Sequence, residues 1–181
     1  MINAGDPITE AAVSMPFPSP SMPIADRAQV FLTYLDYFRS RLLDKLEALP
    51  ERELRSSRLA SNWTPVELIH HLRHVERRWL EWGFLGFDVA DPWADNRDDR
   101  WYVSPDISLD DLVNGLRAQA ARTREIVESH DLDEVGQPSQ RWDGQPPPTL
   151  ERILFHLLQE YARHTGHLDI VSELATGHYG E

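Results

Sequence analysis

Apolar residues recur at three- and four-residue steps in four separate stretches of the chain, the spacing that gathers them on one face of an α-helix. The first stretch comprises Phe31, Leu35, Phe38, Leu42, Leu46 and Leu49. Asp26-x-x-Gln29 precedes it and fits a capping box, and Pro50 ends it. The second opens on Thr64-Pro65-Val66-Glu67, with threonine at the N-cap, proline at the first helical position and glutamate at the third. Trp63 and Leu68 are spaced for a hydrophobic staple, and Leu68, Leu72, Val75, Trp79 and Trp82 carry one face to about Gly86. A third helix is predicted from Ser108, with Asp110 and Asp111 favourable in its first turn. Its apolar face runs through Leu109, Leu112, Leu116, Ala120, Thr123 and Val127. The fourth begins at Thr149, after three prolines, and runs to about Thr176, where Gly177 is placed to stop it.

No strand-like alternation of comparable length interrupts these helices, so the pattern predicts an all-α four-helix bundle. Residues 87–107 and 131–148 are long connections, a kind of loop that often serves as a lid or a binding loop. Residues 1–23 hold Pro7, Pro16, Pro18, Pro20 and Pro23 among small residues and read as an arm, extended on the surface or disordered. Residues 24–181 then make one domain, in keeping with a length of 181 residues.

Composition narrows the functions. The formal charge of −12, with no local basic stripe, argues against nucleic acid or an anionic membrane as partner. No apolar run approaches the ~20 residues that span a bilayer. The N-terminus has neither the basic start nor the apolar stretch of a signal peptide, so the expected location is cytoplasmic. The chain has no cysteine, which leaves His, Asp and Glu as the strong metal ligands. Any thiol chemistry must therefore use a thiol brought in from outside.

Six of the eight histidines fall in two of the predicted helices: His70, His71 and His74 in the second, His156, His164 and His167 in the fourth. With Glu160 set at zero and ~100° per residue, His164 lies at about +40° and His167 at about −20°, inside the arc of Ile153, Leu157, Leu168 and Val171. His71 lies within about 20–60° of Leu68, Val75 and Trp82. A carboxylate and imidazoles directed into a core are costly unless paired or coordinated. Two helices presenting such groups to each other suit a divalent transition metal (Zn, Ni, Fe or Mn) with positions open to water or substrate. The competing account is a hydrogen-bonded core network. His70, His74, His130 and His178 are read as exposed, or at most as supporting groups. His156, at about −40°, is placed to orient Glu160.

Other candidates are weaker. Asp91, Asp95, Asp98 and Asp99 lack the glycine and terminal glutamate of a calcium loop and read as a solvated acidic segment. No Gly-rich phosphate loop or nucleophile elbow is present. Trp93, Trp101, Tyr102, Arg141 and Trp142 sit in the long connections, either as pocket walls or as buried loop surface.

The stretch Leu68-Ile69-His70-His71-Leu72-Arg73-His74-Val75-Glu76-Arg77-Arg78-Trp79 resembles the second-helix motif of the DinB-like superfamily. Glu160-Tyr161-Ala162-Arg163-His164-Thr165-Gly166-His167-Leu168-Asp169-Ile170 resembles its fourth-helix motif, and the similar branch is the one containing mycothiol S-transferases. The resemblance covers about Asp26 to Gly177. It implies a four-helix bundle with a long crossover connection, often dimeric, and a metal held by His71, His164 and a third ligand, either Glu160 or His167. His74 stands where this branch usually has a small residue, so it would narrow the pocket or add a polar group; Trp82, His156 and Arg141 complete the expected surroundings. The implied activity is a metal-dependent transferase in which the metal holds a low-molecular-weight thiol as thiolate for attack on an electrophile, a detoxification chemistry. Metal-assisted hydrolysis, and a non-enzymatic dimeric bundle with a structural metal or none, are the alternatives.

Overall fold

The computed structural model describes residues 15–24 and 26–177. Most of the predicted N-terminal arm, and His178, lie outside the described residues. Met15 to Ile24 carries Phe17, whose ring meets Tyr34 and Tyr37 edge-on at 6.0 and 5.2 Å.

The helices form where the pattern of apolar and capping residues predicts them. α1 (Arg27–Ala48) is capped by Asp26, which accepts the Ala28 N–H at 2.9 Å, a single cap in place of the expected box with Gln29. A short turn after Pro50, α2 (Glu51–Leu54), was not anticipated. α3 (Pro65–Arg77) starts on the Thr64–Glu67 capping box, α4 (Leu109–Ser129) on a Ser108–Asp111 box, and α5 (Leu150–Thr176) on Thr149. Gly177 ends α5 at φ 74°, a left-handed conformation that glycine adopts without a Cβ clash.

The second predicted helix is one element in sequence and two in geometry. After Arg77 it widens into a π-helical segment, Arg78–Phe84, before Gly86 turns the chain at φ 70°. The wider turn shifts the buried positions, so that Leu80 and Phe84 enter the core and the expected Trp79 and Trp82 stand half-buried at its margin.

The four long helices pack as a ring, α1 on α5, α5 on α3, α3 on α4 and α4 on α1. Leu35, Leu42, Leu68, Leu72, Leu116 and Leu157 are among the side chains that fill the space between them. One polar node lies inside. Glu76 is fully buried and receives the Arg39 guanidinium at 3.0 and 2.7 Å, together with the hydroxyls of Thr123 and Tyr161. Those four residues come from four different helices.

The two long connections cover the helix ends. The first folds into a hairpin of β1 (Asn96–Arg97) and β2 (Arg100–Trp101), with Asp98 and Asp99 both at positive φ in the two-residue turn. The second crosses the π-helical segment and satisfies its freed carbonyls: Gln137 N–H donates to Phe84 O at 2.7 Å, and Trp142 Nε1–H to Gly83 O at 3.0 Å. Among the described residues no helix is long and apolar enough to cross a membrane.

Candidate metal centre

α5 presents Glu160 and His164 one turn apart on the same face, and α3 presents His71 opposite them. One donor atom from each of the three lies within 4.8 Å of the others. Glu160 Oε2 is 3.1 Å from His164 Nε2, and the rings of His71 and His164 meet edge-on at 5.2 Å. The other Glu160 oxygen faces His156 Nε2 at 3.2 Å. His164 Nδ1 is buried and has no hydrogen-bond partner among the described residues.

His71 is oriented from the loop side. Its Nδ1 lies 2.8 Å from Asp95 Oδ2, and Asp95 is itself gripped by both terminal nitrogens of Arg78, which also donates to Pro92 O. A carboxylate on Nδ1–H fixes the tautomer and leaves the Nε2 lone pair for the site. Trp101, delivered by β2, stacks on His71 at 4.3 Å and meets His164 edge-on, with centroids 5.0 Å apart.

The electrostatics prepare these groups as donors. Burial pushes the His71 imidazole below its ordinary pKa and keeps it neutral. Burial opposes the charge on Asp95, but the bonds from His71 and Arg78 outweigh it and hold that carboxyl at about 2. Hydrogen bonds from His156 and then His164 hold Glu160 well below the usual carboxylate range. A neutral His71 and an ionised Glu160 are forms that a cation takes up.

The remaining predicted residues fall elsewhere. His167 is half-buried, with its ring 5.4 Å from His164 and 6.3 Å from Trp63, outside the group of three. It lines a cavity of about 380 Å³ with Trp63, Trp101, Arg163 and His164. His70 and His74 are 6% and 4% exposed, which rules out the solvent-facing reading of them and leaves that of supporting groups. Their rings pack together at 4.5 Å on a side of α3 that the first long connection covers, with Ala94 bonding His70. Asp95, read as part of a solvated acidic segment, is 2% exposed, because Arg78 and His71 draw it inward. The His156 ring packs at a tilt against Trp79, with centroids 4.2 Å apart. The Arg141 guanidinium lies 4.3 Å from the Trp79 ring and 5.7 Å from that of Trp82, so these residues form one wall.

Comparison with known proteins bears on this arrangement. No curated protein matches the chain. A crystal structure of a conserved protein from Enterococcus faecalis is similar at a TM-score of 0.59 and 16% identity, covering 86% of this chain and all of that one, a likeness of fold alone. A family model described as Mycothiol-S-transferase matches residues 30–177, a span that holds all three clustered side chains and Asp95, and the chain belongs to that family.

Proposed function

We propose that this protein is a metal-dependent thiol S-transferase built on a DinB-like four-helix bundle with a long crossover. The observation that carries the reading is the convergence of His71, Glu160 and His164 with their donor atoms within 4.8 Å. Two imidazoles and one carboxylate suit Zn, Ni, Fe or Mn and leave coordination positions open. When bound, such a cation supplies the Lewis acidity that brings a thiol to thiolate at neutral pH. The chain contributes the rest. Asp95 and Arg78 hold His71 in one tautomer, His156 steadies Glu160, and Trp101 screens the imidazoles from water. With no cysteine in the sequence, the sulfur belongs to a mycothiol-like cosubstrate that attacks an electrophile.

Hydrolysis would call for a free carboxylate as base, whereas both Glu160 oxygens already face imidazoles. A homodimer belongs to the same proposal and is read from the molar mass in solution.

Elemental analysis and conjugation of monochlorobimane in the presence of added thiol test the reading together. The wild type and His167→Ala are expected to hold about one equivalent of divalent metal. His71→Ala and Glu160→Ala are expected to lose the metal and the thiol-dependent rate together. A wild type that takes up no metal on reconstitution, or a His71→Ala variant with full activity, refutes the proposal. Turnover without added thiol would favour hydrolysis.

A further inference from the structure

The contacts around the three clustered side chains close into a circuit. From His71 they pass to Asp95 and Arg78, and from Arg78 to the face of Trp93 at 4.4 Å. Trp93 leads to Arg141 at 5.9 Å, Arg141 to Trp79 at 4.3 Å, Trp79 to His156 at 4.2 Å, and His156 to Glu160 at 3.2 Å. Every charge on that circuit is answered except one. Asp95 neutralises Arg78, and two imidazoles face Glu160. Arg141 lies against Trp79, Trp82, Trp93 and Trp142, with no acidic side chain among the described residues paired to it.

Indole faces attract a guanidinium but accept nothing from its in-plane N–H groups. Arg141 Nε is accordingly buried without a hydrogen-bond partner, an arrangement that disfavours the apo protein. The chain has 30 acidic residues, and it supplies carboxylates to the buried Arg39 and Arg78. At Arg141 the counter-charge is left out. Burial, and then repulsion from Arg78, lower the pKa of Arg141, a penalty that a bound anion would lift.

We propose that Arg141 is the anion-recognition residue of the substrate site, its guanidinium receiving a carboxylate of the electrophile. This assignment rests on reading the adjacent histidine–glutamate cluster as the thiol-activating centre. A planar carboxylate matches the two-donor fork of a guanidinium, and the indole faces around Arg141 suit an unsaturated or aromatic body. Trp93 is 50% exposed, so the wall has a face still open to such a body.

Calorimetric titration of the chelator-treated protein tests the assignment without any contribution from a bound metal. The probes are trans-cinnamate and its uncharged amide, trans-cinnamamide. Cinnamate is expected to bind about tenfold or more tightly than the amide, and Arg141→Gln to abolish that preference. Equal binding of the two probes by the wild type overturns the proposal, as does a preference that survives in Arg141→Gln. Inorganic phosphate displacing cinnamate as effectively as benzoate does would overturn the choice of carboxylate. If Arg141→Gln loses the near-UV signature of the tryptophan cluster, Arg141→Lys decides. A preference weakened in that variant, which keeps the charge but not the fork, supports the proposal, and an unchanged preference refutes it. Metal content of the untreated protein is measured separately, so a failed metal centre and a failed anion site give different results.

Discussion

At the scale of single residues, what distinguishes His71 from the other histidines is the commitment of one ring nitrogen to Asp95. A bare imidazole chooses between tautomers and orientations, and an imidazole held by a buried carboxylate does not. Asp95→Asn keeps the shape, removes the charge and leaves Arg78 uncompensated. The expected result is a 10- to 100-fold loss of metal affinity, measured by competition with a chromophoric chelator. Unchanged affinity would mean that Asp95 serves Arg78 alone. The candidate ligands were legible in the sequence because helical periodicity fixes direction: Glu160, His164 and His71 each lie on the apolar arc of their helix. The same periodicity left Glu160 and His167 open as alternatives, since both lie in that arc; only Glu160 has a donor atom grouped with those of His71 and His164. Asp95 was not legible, because nothing local in an acidic loop signals a partner 24 residues back. For His70 and His74 the angles were informative, but the angles of one helix say nothing about a loop that folds over its other face.

At the scale of elements, the helix boundaries were legible wherever capping chemistry marks them, at Thr64, Ser108, Thr149 and Gly177. The π-helical segment was not, because Arg78–Phe84 fits ordinary helical spacing as a sequence and the widening depends on what packs against it. Its consequence is functional, since it brings Trp79 and Trp82 to the margin and presents the Gly83 and Phe84 carbonyls to the second connection. Gly83 is a tight point of that joint: a Cβ there would meet Trp142 Cζ2 at 2.9 Å. Gly83→Ala should therefore push Trp142 from its place, break its bond to Gly83 O and loosen the wall around Arg141. Near-UV circular dichroism should show a reduced tryptophan signal, while far-UV helicity and metal content stay as in the wild type. A tryptophan signal identical to wild type would show that the loop tolerates the methyl group and that the joint is slack.

At the scale of the whole molecule, the helices enclose two kinds of buried polar group, and each links stability to a different condition. His74 is buried neutral beside His70, Asp95, Arg73 and Arg78, and burial followed by repulsion from His70 brings its pKa from 6.5 to about 3. The unfolded chain therefore takes up this proton as pH falls below 6.5 while the folded chain refuses it until about 3. The contribution of His74 to stability is full above that window and is lost progressively down through it. Urea unfolding at pH 7.5 and pH 5 should show a smaller drop for His74→Leu than for the wild type, and equal drops would place the acid sensitivity elsewhere. Glu76 is the opposite case, a buried charge that is fully paired. Arg39, Thr123 and Tyr161 spend their polar groups on it, so the four helices share one carboxylate. Burial, and then Glu76, raise the Tyr161 phenol well above its ordinary pKa, so that it stays protonated as a donor. Glu76→Gln removes the charge but not the volume, and leaves the Arg39 guanidinium, 5% exposed, with Asp36 at 2.8 Å as its remaining counter-ion. Breaking a buried pair costs about 3–5 kcal/mol when the remaining charge is uncompensated, and Asp36 offsets part of that here, against the ~5–15 kcal/mol that holds a domain together. The variant should unfold at a markedly lower urea midpoint with an unchanged slope. Adding Arg39→Met to it should recover part of the loss, because the buried charge that lost Glu76 goes with the side chain. If the double variant is no more stable than Glu76→Gln alone, the penalty lies in the lost hydroxyl bonds of Thr123 and Tyr161, and the node acts through hydrogen bonding more than through charge.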